Sequence, residues 1–174
     1  MKVFSGDSSG ECAQRGFGFE KVAREIFESK GYETKTPSEE EGIFGHVDFW
    51  VKDKNQVWRS VDAKALKRLS RHDDSTQDEW TFVEWKNNAG YDGWLVQGAE
   101  FMAFEREDHI LLVKRSRLME WAKSVVDFSL ICTRSSEAKY KTYSRAGRED
   151  LLSLIKLDDI PQRLTLTWRK LGER

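Results

Sequence analysis

The sequence predicts a layered α/β (α+β) domain in which a mixed central sheet carries an antiparallel hairpin and is flanked by helices. Three observations predict it. A single apolar stripe at helical spacing opens the chain, two period-two runs separated by a short polar turn follow it, and further short apolar runs end in a second amphipathic segment.

The length of 174 residues suits one domain, which buries about two-thirds of its unfolded surface. A single core is expected, with residues 1–10 as a flexible lead-in, 11–126 as the core and 127–174 as the strands and helix completing it. Hydrophobic residues at 39% and charged residues at 34%, with seven Trp and ten Phe, exclude a disordered composition. No run approaches a membrane span, and Met1-Lys2-Val3-Phe4 runs into Ser and Gly instead of an apolar signal core, so a cytoplasmic protein is expected. Cys12 and Cys132 are too few and too far apart for a disulfide framework or a zinc knuckle, and both read as reduced. A net charge of −1 is unlike a dedicated DNA-binding domain, so any nucleic-acid contact must be a local patch.

In chain order, Phe19, Val22, Ala23, Ile26 and Phe27 form the stripe of the first helix, and Lys30-Gly31 stops it. Glu20 lies about 90° from the stripe's centre at 100° per residue, at the border between buried and solvent faces. Two readings are open for it: a side chain turned toward the hairpin, or an exposed i,i+4 partner of Arg24. Tyr32 to Gly42, with Pro37 and Glu39-Glu40-Glu41, reads as a short strand and then an acidic loop.

The hairpin runs from Gly45 to Arg68. Val47, Phe49 and Val51 alternate with other residues, as do Val57, Val61 and Ala63, the pattern of half-buried strands. With Lys54 to Gln56 closing the loop, Asp53 lies opposite Val57, Asp48 opposite Asp62 and His46 opposite Lys64. A slip of one residue would mix the apolar row with the carboxylates, so the pattern selects this parity. Asp48, Asp62 and Lys64 then converge on one face. Opposed β-carbons are about 5 Å apart, and two carboxylates that close repel unless one is protonated or a cation lies between them. Hard oxygen donors favour Mg²⁺, and Lys64 is suited to stabilising phosphate charge or orienting water.

Beyond the hairpin, Lys64 to His72 is a basic run whose Lys67, Arg68 and Arg71 are the candidate phosphate contacts, against the alternative of a solvated loop. Ser70 to Asp78 reads as a loop, and its His72 as solvent-exposed. Trp80 to Trp85 resumes a strand, where Glu84-Trp85-Lys86 is a second acid-x-Lys sequence. Asp62-Ala63-Lys64 is preferred because Asp48 lies across a tight hairpin from it, while Glu84 and Lys86 stay as possible additional site residues. Ala99 to Phe104 and Ile110 to Lys114 read as strands, and Ser116 as the cap of a helix bearing Leu118, Met119, Trp121, Ala122, Val125 and Val126. Tyr140 to Tyr143, Leu151 to Leu157 and Leu164 to Trp168 read as further apolar or strand segments of undetermined order. Arg134, Lys139, Lys141, Arg145 and Arg148 are an alternative basic surface.

An Asp on one hairpin strand and Asp-x-Lys on the next, here Asp48 and then Asp62-Ala63-Lys64, resembles the PD-(D/E)xK nuclease superfamily over roughly residues 11 to 126. Val47 stands where the Pro of that name would be. The resemblance implies a restriction-endonuclease-like core and Mg²⁺-dependent cleavage of DNA phosphodiesters, with Mn²⁺ as a substitute and RNA not excluded. It also implies a further metal-associated acid on the preceding helix, the place Glu20 occupies beside Asp48 and Asp62. A structure-directed enzyme of the resolvase or repair type, in a homodimer, is one expectation. The competing expectations are a non-catalytic nucleic-acid- or protein-binding module of the same fold, and an ordinary hairpin whose aspartates pair with Lys52 or Arg59.

Overall fold

The structure, a computed structural model, describes residues 10–70, 73 and 75–172. The chain forms α1 (Glu11–Ser29), β1 (Glu33–Lys35), α2 (Glu39–Gly45), β2 (Phe49–Lys52), β3 (Trp58–Lys64), β4 (Trp80–Lys86), β5 (Phe101–Glu105), β6 (His109–Lys114), α3 (Arg115–Val125), β7 (Asp127–Cys132), β8 (Lys141–Tyr143), β9 (Leu151–Lys156) and β10 (Thr165–Arg169). Short 3₁₀ turns fill several connections. Among the described residues no helix is long and apolar enough to cross a membrane.

The stripe on α1 is buried through Phe19, Ala23, Ile26 and Phe27. Gly31 ends the helix at φ 85°, a left-handed conformation that costs a residue without Cβ little. The β2–β3 hairpin closes through Asp53, whose Oδ1 accepts the backbone N–H groups of Asn55 and Val57 at 2.8 and 2.9 Å. Gln56 takes a left-handed φ of 62°, and Asp53 N donates to Val57 O at 2.8 Å. The pairing that results, Phe49 with Val61 through Lys52 with Trp58, is the expected register.

Two mixed sheets form instead of one. The larger has the order β1-β2-β3-β5-β6-β10 with β3 and β5 parallel, and the smaller has β4-β9-β8-β7 with β7 and β8 parallel. Parallel neighbours need a long crossover. Here the chain makes it by leaving β3, building β4 into the second sheet and returning at β5.

The expected single core is two clusters, one on each face of the larger sheet. Phe49, Val51, Val61, Ala63, Ala103, Ile110 and Leu112 pack against α1. Met102, Phe104, Leu111 and Val113 face the other way, onto α3 and residues of the second sheet such as Val83 and Trp85. Because strand side chains alternate, Asp62 and Lys64 project to the second-sheet side.

Several expectations are corrected. Glu39-Glu40-Glu41 is the first turn of α2 and not a loop: Ser38 Oγ accepts Glu41 N at 3.2 Å while Glu41 Oε2 accepts Ser38 N at 2.8 Å. That capping box, with three acids at the positive end of the helix dipole, makes the acidic run helix-forming. Helix α3 starts at Arg115 with Lys114 as its cap, so Ser116 lies inside it. Strand β7 was not anticipated. Of the C-terminal segments, β8 and β9 join the second sheet, whereas β10 pairs with β6 and closes the first. Cys132 is a free thiol. The Cys12 side chain and residues 1–9 of the expected lead-in lie outside the described residues.

Candidate functional site

Asp48 stands one residue before β2, where the ladder is irregular and Asp48 N donates to Val61 O at 2.9 Å. Its carboxylate turns across the hairpin and accepts Ala63 N at 2.7 Å, next door to Asp62. Asp62 is 2% exposed. Lys64 Nζ lies 2.7 Å from Asp62 Oδ2, but off the angle of a hydrogen bond, so that buried oxygen has a Coulomb partner and no hydrogen-bond donor. The ammonium also lies over the ring of Trp94, 5.0 Å from its centre. The two aspartates and the lysine therefore come together on one face.

The electrostatics follow from this crowding. Burial, then the Asp62 charge, then Glu20 push the Asp48 carboxyl up to about 8, against the opposing pull of Ala63 N–H and Lys64. Glu20, half-buried on α1, is raised by burial and next by Asp62, with Lys64 opposing. It thus belongs to the same charge cluster. Its alternative partner is taken: Arg24 bonds Glu28, Thr34 and Thr36 instead.

Glu84 and Lys86 divide. β4 is not the neighbour of β3 in the sheet, so Glu84 does not join as an acid on the adjacent strand; it faces the site from the second layer. Its carboxyl is raised by burial, with Lys64 and a long 3.5 Å contact from Trp94 N pulling it down. Gly93 fits against it so closely that a Cβ there would stand 2.3 Å from Glu84 O. Lys86 is exposed at the end of β4.

The basic run is more constrained than a solvated loop. Lys67 O accepts both Gln77 N and Gln77 Nε2, at 3.0 and 3.1 Å, and Lys67 and Arg68 are half-buried. Arg71 and His72 lie outside the described residues. On the alternative basic surface, Arg145 is committed to Asp150 and to Asn88, and Lys139 Nζ lies 4.6 Å from the Trp80 ring centre. Of the hairpin's aspartates only Asp53 pairs with Arg59, which also binds Glu100; Lys52 binds Glu33, and Asp48 and Asp62 pair with neither.

Sequence reading gave no role to His46, and it placed Trp94 in a turn whose aromatics touch bases or, as preferred, cap the core, where Trp94 is indeed buried. His46 caps α2 at φ 50°, half-buried, and burial followed by the Lys64 charge lowers its pKa. Its place opposite Lys64 in the register was its one signal. The contact of Trp94 with Lys64 had none, because it arises only through the fold of the second layer.

The donor set fits a hard divalent cation in one respect: two carboxylates, one with a buried oxygen lacking a donor, suit Mg²⁺, which takes one or two carboxylates and keeps waters. Among the described residues no three His, Cys, Asp or Glu side chains are grouped so as to hold a metal. Compared with the models of known protein families, with curated proteins and with solved structures, the chain matches none.

Proposed function

We propose that the protein is a Mg²⁺-dependent endonuclease with a restriction-endonuclease-like core, hydrolysing phosphodiester bonds of DNA at the Asp48–Asp62–Lys64 cluster. One observation carries this reading: two crowded carboxylates, one of them raised to about 8, share a sheet face with a lysine held by a single acid. Asp48 and Asp62 would hold the cation, with Glu20 supporting them. When bound, it would polarise the phosphate and lower the pKa of its water. Lys64 is gripped by Asp62 and backed by Trp94, which fixes its ammonium to donate hydrogen bonds to a phosphoryl oxygen or to attacking water. Ala63 N–H restrains the Asp48 carboxylate. The half-buried setting limits competing water.

A second reading, a non-catalytic binding module of this fold, is favoured by the lack of a three-ligand metal group among the described residues. A cleavage assay on linear, branched and single-stranded DNA, with Mg²⁺ and with EDTA, separates the two. Lys64→Ala is expected to lower metal-dependent cleavage by about 10²- to 10³-fold, as loss of one charge-stabilising donor does, while leaving DNA binding intact. Lys86→Ala should retain most activity. The reverse pattern would move the chemistry to Glu84 and Lys86, and EDTA-resistant cleavage would sink the metal-dependent reading.

A further inference from the structure

The face that carries Asp62 is covered by the second layer only in part. Over β5 and β6 it is closed by the cluster around Met102 and Phe104, but over β1, β2 and β3 its side chains belong to neither core cluster. Two tryptophans lie there. Strand pairing sets Lys35, Trp50 and Ser60 in one transverse row, and Glu33, Lys52 and Trp58 in another. Asp48 and Asp62 continue the same two strands into the next row.

Trp50 and Trp58 are therefore diagonal neighbours on an open sheet floor that leads to the carboxylates, each only partly buried. Ser60, opposite Trp50, is small, and its Oγ accepts Glu100 N at 2.9 Å. Lys35 Nζ hangs over both rings, 5.4 Å from the Trp50 centre and 4.4 Å from the Trp58 centre, and Lys52 Nζ lies 5.2 Å from Trp58. Glu41 fixes the Trp50 indole by accepting its Nε1–H at 3.3 Å. Lys52 is shared with Glu33 at 2.9 Å.

A strand face outside the core ordinarily carries polar residues; here two indole rings stand on it, each partly buried and each with the Lys35 ammonium over it. We propose that this floor binds unpaired nucleotides by stacking, with Lys35 and Lys52 swinging from the rings to the phosphates. The substrate class is then single-stranded nucleic acid, or the single-stranded arm of a branched duplex. The inference rests on the nuclease reading for where the strand is cut, and it also explains how a chain with a net charge of −1 holds a polyanion: stacking needs no excess of cations. A paired duplex hides its base faces and gains nothing from the rings.

The test is fluorescence anisotropy on the full chain in EDTA, with labelled oligothymidylate, oligouridylate and a blunt duplex. Single strands are expected to bind more tightly than duplex, and Trp50→Ala or Trp58→Ala to weaken single-strand binding by roughly 5- to 150-fold with duplex binding unchanged. Trp58→Phe, which keeps a ring, should recover most of the loss. Trp58→Leu, which keeps apolar volume without a ring, should not; this variant serves if the alanine form fails to fold. Equal loss on oligouridylate extends the site to RNA. Unchanged single-strand affinity in the ring variants, or no binding of any oligonucleotide, overturns the proposal, the second outcome pointing to a protein partner for the floor. Metal-dependent cleavage that persists with unchanged affinity would reject the floor and keep the nuclease. Ring-dependent binding without cleavage would do the opposite.

Discussion

Asp48 offers the sharpest test of the charge cluster, because burial, Asp62 and Glu20 raise its carboxyl from 3.8 to about 8. An acid whose folded pKa exceeds its unfolded value binds its proton more tightly when native. Its stabilising contribution is therefore complete below the unfolded pKa, about 3.9, and is lost as pH rises through about 8. At about 1.36 kcal/mol per unit the full shift corresponds to about 6 kcal/mol. Asp48 is partly exposed and shares its proton with neighbours, which reduces the usable figure to about 2–3 kcal/mol. For a domain of this size that is a fall in Tm of about 5–10 °C between pH of about 5 and 8.5. Thermal melts by circular dichroism in EDTA should show it. Asp48→Asn keeps an oxygen to accept Ala63 N–H and carries no charge, so it should lose this pH dependence and melt above the parent at the alkaline end. Since a cation must displace the proton, calorimetric Mg²⁺ affinity should rise about tenfold per pH unit up to about 8. A parent Tm in EDTA that does not fall over this range, or a Mg²⁺ affinity indifferent to pH, would refute the crowding argument.

Gly93→Ala should destabilise by about 1–3 kcal/mol in chemical denaturation, because its new Cβ would stand 2.3 Å from Glu84 O and 2.7 Å from Glu84 Cγ; unchanged stability would show that the 93–97 turn is not fitted against β4. Replacing Lys67, Arg68 and Arg71 together by Ala should weaken binding to duplex DNA and flatten the log-log salt slope by about 2–3, at roughly 0.9 per phosphate contact. An intact slope would shift the search for phosphate contacts to Arg134, Lys139, Lys141, Arg145 and Arg148.

What the sequence determined by itself is local and periodic. The α1 stripe, the parity of the hairpin and the three-residue loop under Asp53 follow from spacing alone, and parity is what sets Asp48 opposite Asp62 and sends Lys64 to the same side. The helix at Glu39–Gly45 was legible too, in the Ser38-to-Glu41 capping box, but three adjacent acids read as solvated loop when their favourable place at a helix N-terminus is overlooked. Only the tertiary structure decided that β4 leaves the sheet of β3, that Glu84 and Trp94 approach Lys64 from a second layer, and that β10 closes the first sheet. A period of two tells which residues share a face and says nothing of which strand lies alongside, since pairing between distant segments is settled by how whole apolar faces pack. The protonation of Asp48 belongs to that level as well: it arises from burial and from Asp62 and Glu20, and Glu20 comes from a different element.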